Sequence, residues 1–521
     1  MTRTQHAARV VLLMAAAAAL LGWLAAHAAI LFPDGLRYIG QARRIADGSW
    51  REGLVGSVDH PVYPLAIAAA HGLVGGESPE AWQAAAQLAS VLAGVLLVIP
   101  LYLVADGLFG ARVAWLGCAL VYAVPLVPHV LADVLSEGTF LLFWTWGLWT
   151  TLRFLEEGRF LWLPPTIAFG ALAYLSRPEG LLLPAALVAA LALMPLLRST
   201  RLNWPRWWAA VAFLVLGPGL LVGPYIATKG GVGTKPAIQR LLGTAPKSAA
   251  DAVERKRPLD PGQSTAKTYL LASKAMAEAV REAVTLPMLV LAAVGVAAGR
   301  PRSRSRVWLF LGIVIVAALL ALIRLHATGG YCSGRHAMVL ALILIPAAAR
   351  GLDTILGALA IPGRWLGLGE GRFTAGPAVW ALVLLALVGR SGKDVLAPIN
   401  GEYVGYRGAA AYLREHVPAG ARVVDVTGWS LYYGERSGYT YANLIEAPAD
   451  PDLRWVVVRD GHLRGPWPYC ARLRALVAGH EPVAVYPERP RPDEAQVFVF
   501  DLKAATPVGA VGRRPSPAHV R

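Results

Sequence analysis

Up to about residue 390 the chain alternates long apolar runs with short polar breaks; beyond that, apolar and polar positions alternate over much shorter distances. The apolar runs at 10–32, 81–105, 113–131, 138–152, 161–175, 179–197, 207–228, 284–299, 307–323, 337–360 and 374–390 predict eleven membrane-spanning helices. A shorter piece, 61–76, contains Pro64 and His71 and falls short of the roughly 20 residues that a hydrocarbon core requires. It is read as a partly embedded, re-entrant element. The first run follows Arg3 and Arg9, and its length favours an uncleaved anchor over a signal peptide, although Ala26-His27-Ala28 resembles a cleavage site.

Between the first run and the re-entrant piece lies PDGLRYIGQARRIADG, where Leu36, Ile39, Ala42 and Ala46 recur at helical spacing and Arg37, Gln41 and Arg44 take the other face. That pattern predicts an amphipathic helix along the membrane surface. In the long loop 229–283, Ser264 is placed to cap a helix from Thr265 to about Ala283, with Tyr269, Ala272, Met276 and Val280 on one side. After residue 396 the pattern predicts helices at Arg407–His416 and Tyr469–Ala478. Strands are predicted at Arg422–Val426, Trp455–Arg459, Val483–Tyr486 and Gln496–Leu502. No glycine-rich phosphate loop follows the first of these strands, which argues against a nucleotide site there. The expected organisation is an all-α polytopic membrane domain over 1–395, with loops 33–80 and 229–283, then a small α/β domain over 396–505 and a disordered tail over 506–521.

Composition agrees with this: 56% hydrophobic and 16% charged residues with mean hydropathy +0.49 exclude an ordinary soluble enzyme. A net charge of +16 would suit nucleic acid, but the basic residues form short clusters between apolar runs, where they set orientation and meet anionic lipid. No nucleic-acid partner is expected. With the N-terminus inside, the inner loops collect Arg112, Arg153, Arg159, Arg198, Arg201, Arg206, Arg300, Arg302, Arg304, Arg306, Arg364 and Arg372. Counting the re-entrant piece as a span would throw the RSTRLNWPR and GRPRSRSR clusters outside. A bacterial-type plasma membrane, with a cytoplasmic N-terminus and the C-terminal domain on the opposite face, is the reading that follows. Cys118, Cys332 and Cys470 have no metal spacing, and no metal site or cofactor is indicated, a divalent cation being the one left open.

The same parity puts Asp34, Asp59, His60, Asp133, Glu137, Arg177, Glu179, Arg324, His326, Tyr331, Arg335 and His336 at the outer membrane edge. Unrelated helix-end charges would scatter over both faces. Ionisable groups gathered at bilayer depth on one face instead describe a polar cavity open to that side and to lipid.

Five features fall in one order: an acid just after the first span (Asp34), HP-x-YP from His60, Ser136-Glu137, SRPEG with Arg177 and Glu179, and GRH with Arg335. In this order they resemble the polytopic GT-C glycosyltransferases, in particular the bacterial relatives of protein O-mannosyltransferases and the aminoarabinose lipid A transferases. One position departs from the mannosyltransferase pattern. There an Asp-Glu pair stands in the first loop, whereas Asp34 is followed by Gly35, which weighs against a protein hydroxyl as acceptor and keeps the single acid.

The resemblance implies an inverting transfer of a sugar from a polyprenyl-phosphate donor to a lipid, glycan or protein acceptor outside the cytoplasm. It implies Asp34 as general base and Arg335, with Arg177 second, as the phosphate clamp. Glu137 or Asp133, the other catalytic candidates, would position the acceptor or bind a cation. Glu179, Tyr38 and Asp59 would join substrate or phosphate binding, and His60 either contacts phosphate or caps the re-entrant helix. The chemistry is consistent, because an acceptor hydroxyl needs a carboxylate to take its proton and a leaving phosphate needs cations. A secondary transporter or export component is the rival reading; it would favour an internal repeat and mid-membrane charges, and the sequence has neither. A scaffold that only displays the C-terminal domain would leave the acidic loops unexplained.

Overall fold

The computed structural model describes residues 2–196, 203–232, 264–298, 305–358 and 392–504, together with Gln239 and two short paired strands at 361–362 and 372–373. The expected span at 374–390, the tail, most of 233–263 and the basic residues at 198–201 and 300–304 lie outside the described residues. The chain divides into two compact units, Met1–Ile399 and Asn400–Arg521.

The first unit is helical. A capping box between Thr2 and Gln5 starts α1, Arg3–Ala26, which stops before the end of the apolar run. Pro33 opens α2, Pro33–Ala46, and holds Phe32 in an extended conformation. Asp34 thereby falls in the first turn of α2, where the helix dipole favours a carboxylate. Then follow α3, Trp50–Val55, and α4, Val62–Val74, the latter a 13-residue helix over the expected re-entrant piece. The amphipathic pattern of α2 needs two corrections, of which the first is that Ala46 is exposed. Gln41 is fully buried rather than solvated, because α3 folds back on α2 and Gly53 seats against the Gln41 carbonyl.

Ser78 caps α5, Pro79–Phe109. The run 113–131 is not one straight helix: α6, Ala111–Ala123, and α7, Leu126–Ala132, meet at a 74° bend. Pro125 pushes Val124 out of the helical region there. The next helices are α8, Glu137–Glu157, α9, Leu163–Ser176, α10, Leu182–Leu193, and α11, Trp204–Lys229. Ser264 caps α12, Thr265–Val284, as its sequence suggests. An 84° bend at Thr285 (φ 64) separates α12 from α13, Leu286–Ala298. α14, Ser305–Gly329, and α15, Met338–Ala358, follow.

Among the described residues six helices are long and apolar enough to cross a membrane, or eight if each bent pair is one span. Eleven is therefore not the number that the described helices give. The 161–175 run sits in a shorter apolar helix, and the 138–152 run sits in α8, which carries Glu137, Arg153, Glu156 and Glu157. The chain is a multi-pass membrane protein.

In the second unit α16, Gly405–His416, precedes five strands: β1 Arg422–Val424, β2 Ser437–Tyr439, β3 Trp455–Arg459, β4 Pro482–Tyr486 and β5 Val497–Asp501. The sheet order is β2-β1-β3-β5-β4, parallel across the first three and antiparallel across the rest. Val456 and Val458 bury one face of β3 with Leu473 and Val477 from α17, Pro468–Val477. Trp455 and Val457 are buried as well, so β3 is covered on both faces, as a continuous apolar run such as WVVV requires.

Candidate active site

Asp34 leaves the first turn of α2 with both carboxylate oxygens engaged. Oδ1 meets Arg37 at 3.1 Å, an i,i+3 pair on the helix, and Oδ2 meets Arg335 at 3.0 Å. Arg37 reaches on with Nε to Oδ2 of the fully buried Asp59 at 3.0 Å. Burial alone would lower the Arg37 pKa, yet Asp34 and Asp59 outweigh it and hold the guanidinium above its ordinary value.

Arg335 comes from a single 3-10 turn, Gly334–Ala337, which Ser333 and His336 cap reciprocally. Its guanidinium lies 4.6 Å from the centre of the Phe32 ring. Gly334 lets two side chains close over this turn. A Cβ would stand 2.6 Å from Leu126 and 2.7 Å from Glu282, whose Oε2 accepts the Gly334 N–H at 2.8 Å. Beside this turn a cavity of about 280 Å³ is lined by Glu278, Glu282, His326, Tyr331, Cys332 and Ser333.

Glu137 opens α8 and is almost completely enclosed. Its Oε1 lies 2.7 Å from Arg177 and 3.7 Å from Arg335, so a single carboxylate binds both guanidiniums. Arg177, itself buried, also meets Glu179 at 2.9 Å and the Ser136 hydroxyl at 3.4 Å. The SRPEG segment folds as a 3-10 turn over Pro178–Leu181. A Cβ on Gly180 would lie 2.2 Å from the Tyr174 nitrogen, so this turn is closed to any larger residue.

Asp34, Asp59, Glu137, Glu179, Arg37, Arg177 and Arg335 thus form one continuous ion-pair network drawn from α2, the α3–α4 loop, α8 and two 3-10 turns. Asp34 is 23% exposed at its side chain against 2% for Glu137. That contrast separates the two acids: Asp34 can meet a substrate, and Glu137 holds the arginines apart and in place. Removing one partner of a buried pair strands the other charge, at a cost of about 3–5 kcal/mol. Glu137→Ala is accordingly expected to melt well below the wild type and to give little folded protein, read by size-exclusion yield and thermal unfolding. Wild-type melting of that variant would contradict the bridging role.

The other expected site residues are placed as follows. Asp133 accepts the backbone N–H groups of Phe32 and Val134, at 3.1 and 2.7 Å, and so fixes the residues just before α2. Tyr38 is buried, its hydroxyl 3.0 Å from Ser136. The His60 ring packs edge-on against Tyr174 at 4.9 Å and beside Tyr225 at 5.8 Å. Sequence reasoning assigned no role to Arg37 or Glu282. The i,i+3 spacing of Asp34 and Arg37 was the available signal for the first; nothing local marks the second. Among the described residues no group of three or more His, Cys, Asp or Glu side chains is placed to hold a metal ion.

Residues 59–221 match the family profile of dolichyl-phosphate-mannose-protein mannosyltransferase. No curated protein matches the chain. Among solved structures the fold is similar to ArnT from Cupriavidus metallidurans in the apo state, at TM-score 0.58 and 17% identity over 94% of this chain and 97% of that one. The undecaprenyl-phosphate-bound form of that protein matches at TM-score 0.57 and 16% identity, with the same coverage. The Archaeoglobus fulgidus oligosaccharyltransferase in the apo form matches at TM-score 0.56 and 12% identity, over 88% of this chain and 70% of that one. The GT-C resemblance read from the motifs agrees with both the family profile and the fold.

Proposed function

We propose that this membrane-embedded chain of GT-C fold transfers a sugar from a polyprenyl-phosphate donor to an acceptor hydroxyl with inversion, on the non-cytoplasmic face. The observation that carries the reading is the 3.0 Å contact between Asp34 and Arg335, 301 residues apart in sequence. It sets a partly exposed carboxylate against a guanidinium, the two charges that deprotonation of a hydroxyl and departure of a phosphate require. Undecaprenyl phosphate bound to the Cupriavidus protein, and dolichol phosphate bound to the Archaeoglobus one, support a lipid-phosphate donor.

In the resting arrangement Arg335 neutralises Asp34 Oδ2. An arriving donor phosphate competes for that guanidinium and draws it away, and Oδ2 becomes free to accept the acceptor proton. The acceptor oxygen then attacks the anomeric carbon as the bond from that carbon to the phosphate oxygen breaks. The proton passes to Asp34, and the phosphate leaves with the bonding pair, met by Arg335 with Arg177 behind it. Arg37 stays on Oδ1 throughout and fixes the carboxylate plane. Glu137 keeps the two arginines from repelling each other.

Gly35 bears on the acceptor. A side chain there would meet Val134 at 2.8 Å, so the second acid of the mannosyltransferase pair has no room here. That favours a lipid or glycan acceptor over a protein hydroxyl.

The test is donor class. Full-length protein in nanodiscs should consume one of polyprenyl-phosphate mannose, aminoarabinose or arabinofuranose and leave UDP- and GDP-sugars untouched; use of a nucleotide sugar would refute the proposal. Sidedness has its own check. Reporter fusions at Arg206 and Arg302 should read cytoplasmic and one after Leu396 external, and an external reading at Arg302 would reverse the assigned face.

A further inference from the structure

Lys229 closes α11 and turns its ammonium into the loop between α3 and α4. Nζ donates to the carbonyl of Leu54 at 2.9 Å, to that of Asp59 at 3.2 Å and to that of Ser57. The Tyr225 ring, one turn back, lies 5.7 Å from the same nitrogen. Gly230 follows in the left-handed region, φ 79, which ends the helix at the lysine. An ammonium has three protons, and here three converging carbonyls take them.

The loop so gathered is the one that presents Asp59. Its N–H bonds the Ser57 hydroxyl at 3.1 Å, and its enclosed carboxylate receives Arg37 at 3.0 Å. Arg37 has a half-exposed side chain and would swing without that anchor; its NH1 nitrogen holds Asp34 Oδ1 at 3.1 Å. One loop and two ion pairs therefore join the end of α11 to the carboxylate of α2.

We propose that Lys229 is a positioning residue for Asp34, acting through the 54–59 loop and the Asp59–Arg37 pair. The role rests on the transfer reading only in that Asp34 is the base there. Without the ammonium the three carbonyls lose their common donor, the loop loosens, and Arg37 no longer fixes one oxygen of Asp34. A misplacement of about 1 Å at a reacting group costs up to roughly 100-fold in rate.

The test uses full-length Lys229→Met, Lys229→Arg, Asp34→Asn and the Asp34→Asn/Lys229→Met double variant in nanodiscs. Two readouts are taken: amide hydrogen exchange over 34–38 and 54–60, and transfer from whichever of the three polyprenyl-phosphate sugars the wild type consumes. K229M should speed exchange in both segments by about tenfold. It should lower kcat by roughly 10- to 100-fold while donor KM stays within about threefold. K229R should recover most of the rate, and K229M should cost nothing further in the D34N background. Unchanged exchange over 34–38, or a full additional loss in the double variant, would overturn the proposal. If D34N alone keeps wild-type turnover, the base assignment falls by itself, and the exchange measurement still decides whether Lys229 holds the Asp34 turn.

Discussion

Asp34→Asn should abolish most transfer while leaving the lipid phosphate bound at least as tightly as in the wild type. The substitution keeps shape and one acceptor oxygen but cannot take a proton, and general acid–base catalysis contributes roughly 10²–10⁴-fold. Turnover should therefore fall by about that factor. Binding should move the other way, because Asp34 competes with the donor phosphate for Arg335 at 3.0 Å, and Asn removes the competitor. The variant should fold normally, since Asp34 is partly exposed and its loss leaves Arg335 still paired with Glu137. Titration with undecaprenyl phosphate and single-turnover transfer on the same preparation separate the two effects. Weakened lipid binding in D34N would mean that Asp34 orders the phosphate site and is not its rival. Wild-type transfer would reduce it to the acidic first turn of α2.

Arg335→Ala should lose on both counts. A hydrogen bond to a charged group contributes about 1.5–3 kcal/mol, roughly 10- to 150-fold in affinity for undecaprenyl phosphate. Loss of a donor aimed at developing charge costs about 10²–10³ more in kcat. Arg335→Lys should recover part of the binding and little of the rate, because a point charge does not reproduce a planar fork held over Phe32. Equal losses in R335A and R177A would argue that the two arginines act as one clamp. The 3.0 Å contact of Arg335 with Asp34 predicts the larger rate effect at Arg335.

Parts of this arrangement were legible in the sequence, and each part has a physical reason. The amphipathic spacing after Pro33 marks α2, and WVVVR gives β3 residue for residue, because the first is a local helical period and the second a short β-branched apolar run. β2 was not legible: SGY is three residues around a glycine and becomes a strand only by pairing in parallel with β1. The bend at Val124-Pro125 was signalled by the proline and masked by the apolar run around it. Gln41 was misjudged because α3, six residues long, folds back over it, a tertiary event that periodicity does not encode.

The site shows the same division. Motif order brought Asp34, Glu137, Arg177 and Arg335 into consideration, since charges between apolar runs are costly unless used. The roles proposed for them rest on distance. Two acids that look alike in sequence separate once Glu137 is found enclosed between two arginines and Asp34 open at one edge. Asp133 and Asp59, both plausible substrate ligands as sequence, are engaged by backbone N–H groups and by Arg37. Lys229 was unremarkable because its partners are main-chain carbonyls, which carry no residue signature.

A direct displacement at the anomeric carbon with Asp34 as base inverts that carbon, so the anomeric configuration of the product reports on it. Full-length protein should be given a polyprenyl-phosphate sugar of one defined anomer and the transferred sugar read by proton NMR coupling at its anomeric carbon. A single product of the opposite configuration is predicted. A product that retains the donor configuration would exclude a single in-line displacement and with it Asp34 as its base.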